Sequence, residues 1–436
     1  MRRLRERRAG RGLPRWVGLG WLAVIVIAAG REAAAQVVPP RDGTVAILAW
    51  RGPPETATTP ERYRQLAEAG FTHALTPFSS AATAAAALEV ASGAGIRLFI
   101  SCPELGADPE GTAARFREHP ALGGFDLADE PSPAAFPELA ILARRLTAAY
   151  PQALCYVNLL PTYAAPGQLG GESYERYVER FLDQVPVRIL SFDHYPITTS
   201  GIRDDYFENL EVASRAAITR RLPLWAFVLS VAHHPYPIPT AAHLRFQAFC
   251  NLAYGAKCIQ YFTYWTPFPG TWDFHQGPIE TDGAETPTYG LVRSLNRRIA
   301  ELAPIFADGS VVCVGHLGGP LPRGTRPYEP RDGDPAVRLE EGRILVSLLR
   351  GAKLDYCVVV NRDLEDDARL VFVAGRGRDH TDLTDPARPV PVTIEQAAEI
   401  APASIRIWGW QRSAAESPLP SGAHDGSGAG PSGGPE

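Results

Sequence analysis

Long apolar runs, cysteine and basic charge are all in short supply in this chain, and each shortage removes a class of protein. The apolar stretch from Trp16 to Ala29 falls short of the ~20 residues that a membrane-spanning helix needs, so stable membrane insertion is not expected. Six cysteines in 436 residues, with no Cys-x-x-Cys pair and no His/Cys cluster at zinc spacing, cannot be the framework of the fold and imply no structural metal. Lysine and arginine together number 43 against 48 aspartates and glutamates, a net charge of −5 with no basic stripe, which argues against a nucleic-acid partner. No Gly-x-Ser-x-Gly elbow surrounds Ser230, so a serine-nucleophile hydrolase has no anchor here. No cofactor fingerprint and no internal repeat stand out either.

What is present begins with a leader-like segment. Arg2, Arg3, Arg5, Arg7 and Arg8 precede the Trp16–Ala29 run, and Ala33, Ala34 and Ala35 supply small residues for cleavage. Residues 1–35 therefore read as a signal peptide, and the mature protein as secreted or periplasmic. At the other end, 413–436 is rich in Gly, Ser and Pro with almost no large apolar residue, and is expected to be disordered.

Between them, residues 40–307 alternate short apolar runs with amphipathic helical stretches, the pattern of a parallel sheet with crossover helices. Eight runs are legible: Val45–Trp50, Thr72–Pro77, Arg97–Cys102, Gly123–Asp129, Ala153–Leu159, Val187–Asp193, Pro223–Ser230 and Cys258–Trp265. Eight strand–helix units close into an α/β (β/α)8 TIM barrel of about 250 residues. From 308 to 412 the texture changes to short alternating strands separated by Gly, Pro and Asp, read as a C-terminal antiparallel β-sandwich. Cys313 and Cys357 fall on strands of that domain and are the pair expected to bridge.

Barrel enzymes place their chemistry on the loops after the strands. The fourth run ends Gly123-Gly124-Phe125-Asp126-Leu127-Ala128-Asp129-Glu130-Pro131, two carboxylates at a strand mouth. Regular alternation points Asp126, Ala128 and Glu130 one way and turns Asp129 aside. The plainer alternative is that Asp129 and Glu130 cap the next helix, whose N-terminus favours negative charge. At the sixth strand, Ser191, Asp193 and Tyr195 share the inward face by the same alternation. A metal set of His194, His233, His234 and Asp193 is awkward, because adjacent histidines on an extended chain face opposite ways.

The letters Asp129-Glu130-Pro131 resemble the fourth-strand motif of glycoside hydrolase clan A, barrel enzymes with an acid/base glutamate there, commonly as Asn-Glu-Pro. A barrel followed by a small β-domain is similar to the family 42 β-galactosidases, and the likeness runs from about Thr44 to Gln411. It implies a glycosidase acting on an external oligo- or polysaccharide, with Glu130 as proton donor and homo-oligomers common among the relatives. The departure is at the seventh strand, where the clan carries its nucleophilic glutamate: Leu224-Trp225-Ala226-Phe227-Val228-Leu229-Ser230-Val231 has no carboxylate. Asp193 is the best substitute, as the water-activating base of an inverting reaction if it stands roughly 6.5–9.5 Å from Glu130. Sugar rings stack their apolar faces on aromatic side chains, so Trp50, Tyr195, Tyr264 and Trp265 are candidate platforms. Arg51, Asp129, Asn158, His194, His233 and Glu280 are candidate partners for hydroxyls. The rival reading is a carbohydrate-binding barrel that lost its nucleophile.

Overall fold

The computed structural model describes residues 43–268, 270–375 and 377–412. The expected signal peptide and the expected disordered tail lie outside the described residues. Eight parallel strands close into a barrel: β1 Ala46–Trp50, β2 His73–Pro77, β3 Arg97–Ser101, β4 Leu122–Asp129, β5 Cys155–Leu159, β6 Leu190–Phe192, β7 Leu224–Leu229 and β8 Ala256–Phe262. Each strand pairs with its sequence neighbours and β8 closes onto β1, with Ala46 opposite Cys258 and Trp50 opposite Phe262.

The strands read as near-continuous apolar runs because both faces are covered. Ile47, Ala49, Ala74, Leu98, Ile100, Val157, Ala226, Val228 and Ile259 pack outward under the helices. Leu48, Trp50, Leu75, Phe99, Tyr156, Trp225, Phe227 and Leu229 fill the interior. Phe99 occupies the barrel axis, 5.5 Å from Trp225 and 5.6 Å from Tyr156 between ring centres. The Gly123-Gly124 pair follows from that ring: a Cβ on Gly124 would meet Phe99 and the Leu154 carbonyl at 2.5 Å. Most helices begin on short polar caps, Thr59, Ser80, Asp108, Ser173, Thr240 and Thr286 each accepting from a backbone N–H in the first turn.

After the long helix Pro287–Asp308 the chain enters the second domain. Two antiparallel sheets face each other there, one of six strands and one of three, over a core built on Ile344, Val346, Val359, Leu370, Phe372 and Trp408. Four of these strands, Ala336–Glu341, His380–Asp382, Val390–Val392 and Glu395–Ile400, are additions to the sequence-based reading. The domain is tied to the barrel by Ser347, whose hydroxyl donates to the Ala253 carbonyl, and by Arg245, which donates to the Pro402 carbonyl. The expected disulfide does not form. Cys313 sits opposite Leu348, and Leu348 opposite Cys357, so a whole strand separates the two thiols. Two strand spacings make about 10 Å, beyond the roughly 7 Å that a disulfide spans between Cα atoms. All six cysteines are free.

Candidate active site

The barrel mouth is organised by an irregularity in β4. Asp126 pairs with Tyr156 and Ala128 with Val157, so Leu127 is an extra residue bulged out of the ladder. Past the bulge the alternation is reset. Asp129, opposite Asn158, joins Asp126 on the inward face, which corrects the expectation that Asp129 turns aside. Glu130 is then carried by a left-handed backbone, φ 48°, with its N–H on the Asn158 carbonyl at 2.8 Å. A glutamate in that region is strained, and strain held at a strand mouth beside other carboxyls is a mark of function. The capping alternative fails, since the short helix Pro133–Ala135 starts from Ser132 and takes no side-chain cap.

A polar relay inside the barrel holds Asp129. Tyr156 donates to Gln260 at 2.8 Å, Gln260 to Ser191 at 2.8 Å, and Ser191 to the Asn158 carbonyl oxygen at 3.0 Å. The Asn158 amide then donates to Asp129 at 3.1 Å. Every member of this chain from Tyr156 to Asn158 is buried, and its hydrogen bonds fix which way each amide points.

Four carboxyls thus converge, and burial raises all of them. Burial lifts Asp126 to about 7, helped by the charge of Asp129 and opposed by Arg51. Burial also raises Asp129, while Asn158 and Arg51 hold it down. Glu130 is raised by burial and then by Asp129. Asp193 is raised well above its ordinary range by burial and then by the charges of Glu130 and Asp129. Its Oδ1 is buried without a partner. The Asp193 side chain hydrogen-bonds that of Glu130, so the two carboxyls are neighbours and not a pair set apart by the width of an activated water.

Aromatic rings wall the mouth. Trp50 packs on Phe262 at 5.4 Å, and Tyr195 lies 5.6 Å from Phe262 and 5.9 Å from Tyr236. Arg51 is exposed, with its guanidinium 5.2 Å from the Trp50 ring. His233 belongs to the same wall, against Phe274, Tyr236 and the half-exposed Trp272, and burial lowers its pKa against the pull of Val231 and Asp273. Reasoning from sequence missed three members. Tyr163 feels the charge of Asp193 and stacks on Arg203, which also donates to the Tyr236 hydroxyl at 3.3 Å. They sit in the loops after β5, β6 and β7, where loop position was the only available signal.

Other expected partners are placed elsewhere. His194 turns outward and bonds Asp205 at 3.1 Å between Tyr163 and Tyr206. Tyr264 is wholly buried against Phe71 in the layer under the helices, and Trp265 lies in that layer beneath Arg62. Glu280 accepts from the Gln276 N–H and braces its own loop. Among the described residues no group of histidines, cysteines and carboxylates is arranged to hold a metal ion. A groove of about 320 Å³ in the second domain is lined by Asp382, Thr384, Arg388, Glu399 and Arg406, but Arg406 is paired to Asp382 and no nucleophile or raised carboxyl faces it.

No family model and no curated protein matches the sequence. Solved structures do match. The β-galactosidase of Bacillus circulans sp. alkalophilus superposes with a TM-score of 0.58 at 9% identity over 85% of this chain and 99% of that one. A catalytic mutant of a GH42 β-galactosidase from G. stearothermophilus gives 0.55 at 9% over 85% and 99%. Against the β-galactosidase of the psychrophilic Marinomonas ef1 the chain spans 62% of that protein's length, at 10% identity and a TM-score of 0.44. The likeness establishes the architecture, a TIM-type barrel with a C-terminal antiparallel domain as in the GH42 β-galactosidases.

Proposed function

We propose that this protein is an exported glycoside hydrolase acting on an external oligo- or polysaccharide, with Glu130 as general acid/base. The observation that carries the reading is Glu130 itself. It is held by a strained backbone at the mouth of β4, raised by burial and by Asp129, and neighboured by the raised Asp193. A general acid has to be protonated near the working pH, and this is how proteins raise a glutamate. The aromatic wall of Trp50, Tyr195 and Phe262 suits the apolar faces of sugar rings, and the GH42-like architecture agrees with such a site. Export is inferred from the arginine cluster and apolar run before Ala35.

A second reading, a barrel that binds carbohydrate without cleaving it, is favoured by the absence of any carboxylate between Leu224 and Trp272. Hydrolysis of aryl glycosides and oligosaccharides by the mature protein separates the two. Turnover abolished in a folded Glu130→Gln variant supports the hydrolase. Saccharide binding by calorimetry, with no turnover of any substrate, supports the binding barrel.

A further inference from the structure

We propose that the substrate is a 2-acetamido sugar whose own amide oxygen is the nucleophile, with Asp129 holding the amide N–H and Glu130 serving as acid and then base. The inference rests on the glycosidase reading above and names its mechanism and substrate class.

Retaining hydrolysis by double displacement needs a second carboxylate about 5–5.5 Å across the glycosidic bond, and inversion needs one at roughly 6.5–9.5 Å. All four converging carboxyls belong to one side of the mouth, Asp126, Asp129 and Glu130 on β4 and Asp193 after β6. The arc formed by the ends of β7, β8 and β1 presents Ser230, His233, Phe262 and Trp50. The carboxylates borne by its loops are each tied to a backbone N–H of their own surroundings: Glu55 to Ser79, Glu280 to Gln276 and Asp273 to His234. A nucleophile must then come with the substrate.

Asp129 is placed for the complementary task. It stands beside the acid and not across from it, faces inward through the Leu127 bulge, and is oriented by Asn158 at the end of a buried relay. A carboxylate so fixed can accept the N–H of a 2-acetamido group and turn the amide oxygen towards the anomeric carbon. Two buried polar atoms at the mouth await a partner, the Trp50 indole N–H and Asp193 Oδ1, on residues each only 7% exposed. An indole donor on an apolar wall fits an amide or hydroxyl oxygen with a methyl beside it.

The step balances. The amide oxygen forms a bond to the anomeric carbon as the bond to the leaving oxygen breaks and Glu130 gives that oxygen its proton. The positive charge left on the cyclic intermediate's N–H is met by the Asp129 carboxylate. Water then attacks the anomeric carbon and yields a proton to Glu130, the ring opens, and the acetamide is restored. The sum is addition of one water with retention, for glycosides whose leaving group lies trans to the acetamido group.

The test compares aryl 2-acetamido-2-deoxy-β-glucoside and β-galactoside with their 2-hydroxy parents, then with the N-fluoroacetyl to N-trifluoroacetyl series. Expected are kcat/KM at least about 100-fold above the parents, kcat falling about 100-fold or more along the fluorinated series, and a loss of about 10²–10³ in kcat for Asp129→Asn. The fluorinated series needs no variant, so a misfolded Asp129→Asn does not blunt it. Parents cleaved as fast, with no response to fluorination, overturn the inference and leave the glycosidase reading standing. Saccharide binding without turnover of any glycoside overturns both.

Discussion

Replacing Asp126 by asparagine is expected to change how stability depends on pH, by an amount that follows from the site's electrostatics. In the folded protein burial and Asp129 raise Asp126 from its ordinary 3.8 to about 7. Between those values the folded state holds a proton that the unfolded chain has released, so stability falls as pH rises through this window. Below about 4 both states are protonated and the effect vanishes; above about 7 both are ionised and the full loss is present. From pH 5 to pH 8 the parent therefore loses about 2–3 kcal/mol through this one group. Asparagine cannot titrate, so Asp126→Asn should escape that loss, and removing the charge also relaxes Asp129. Urea unfolding of both proteins at pH 5 and pH 8 measures the difference of differences. Parallel changes in the two proteins would refute the claim that Asp126 is forced to hold its proton.

Three further outcomes follow from the same site and its scaffold. Asp193→Ala removes the hydrogen bond that acts to lower Glu130, so Glu130 keeps its proton to higher pH and the alkaline limb of kcat/KM moves up by about one pH unit; an unmoved limb would dissociate the two groups. Asn158→Ala removes the hydrogen bond to the Asp129 carboxylate and the acceptor of the Ser191 hydroxyl and should cost about 1–3 kcal/mol in chemical denaturation, more than truncation to alanine at the exposed Gln152. A thiol reagent should find six free cysteines in denaturant and, in the folded protein, react first at the half-buried Cys313; a mass two daltons light without reductant would contradict the strand order.

The eight barrel strands were legible because each is a short β-branched or aromatic run bounded by turn residues, and because a parallel strand covered on both faces cannot hide its apolarity. Ala336–Glu341 and Glu395–Ile400 escaped notice for the opposite reason: Arg338, Glu340, Glu341, Glu395 and Glu399 leave little apolar texture to detect. At the site, alternation was a sound guide for Ser191, which lies within β6, and Tyr195 also packs into the mouth although the strand ends at Phe192. The expected sugar platform at Tyr264 is absent, since β8 ends at Phe262 and the residue is buried under the helices. Alternation failed at Asp129 because one extra residue in a ladder flips everything after it, and nothing in Leu127 announces the bulge. The disulfide was misjudged because pairing two cysteines requires knowing that Ile344–Arg350 lies between their strands.

The bulge also bears on what the cluster is for. Residues three apart on a regular strand face opposite ways, so Asp126 and Asp129 share a face only because Leu127 is extruded. The result is a set of carboxyls that repel one another, with Arg51 the nearby cation and a strained Glu130 at the edge. A fold gains no stability from this arrangement, because removing any one charge relieves the others. A cluster of raised carboxyls at a strand mouth is instead what acid–base chemistry uses. Within it Asn158 and Arg51 act to lower Asp129 against burial, whereas burial and Asp129 act to raise Glu130, an asymmetry between neighbours that suits one to give a proton and the other to meet a positive charge.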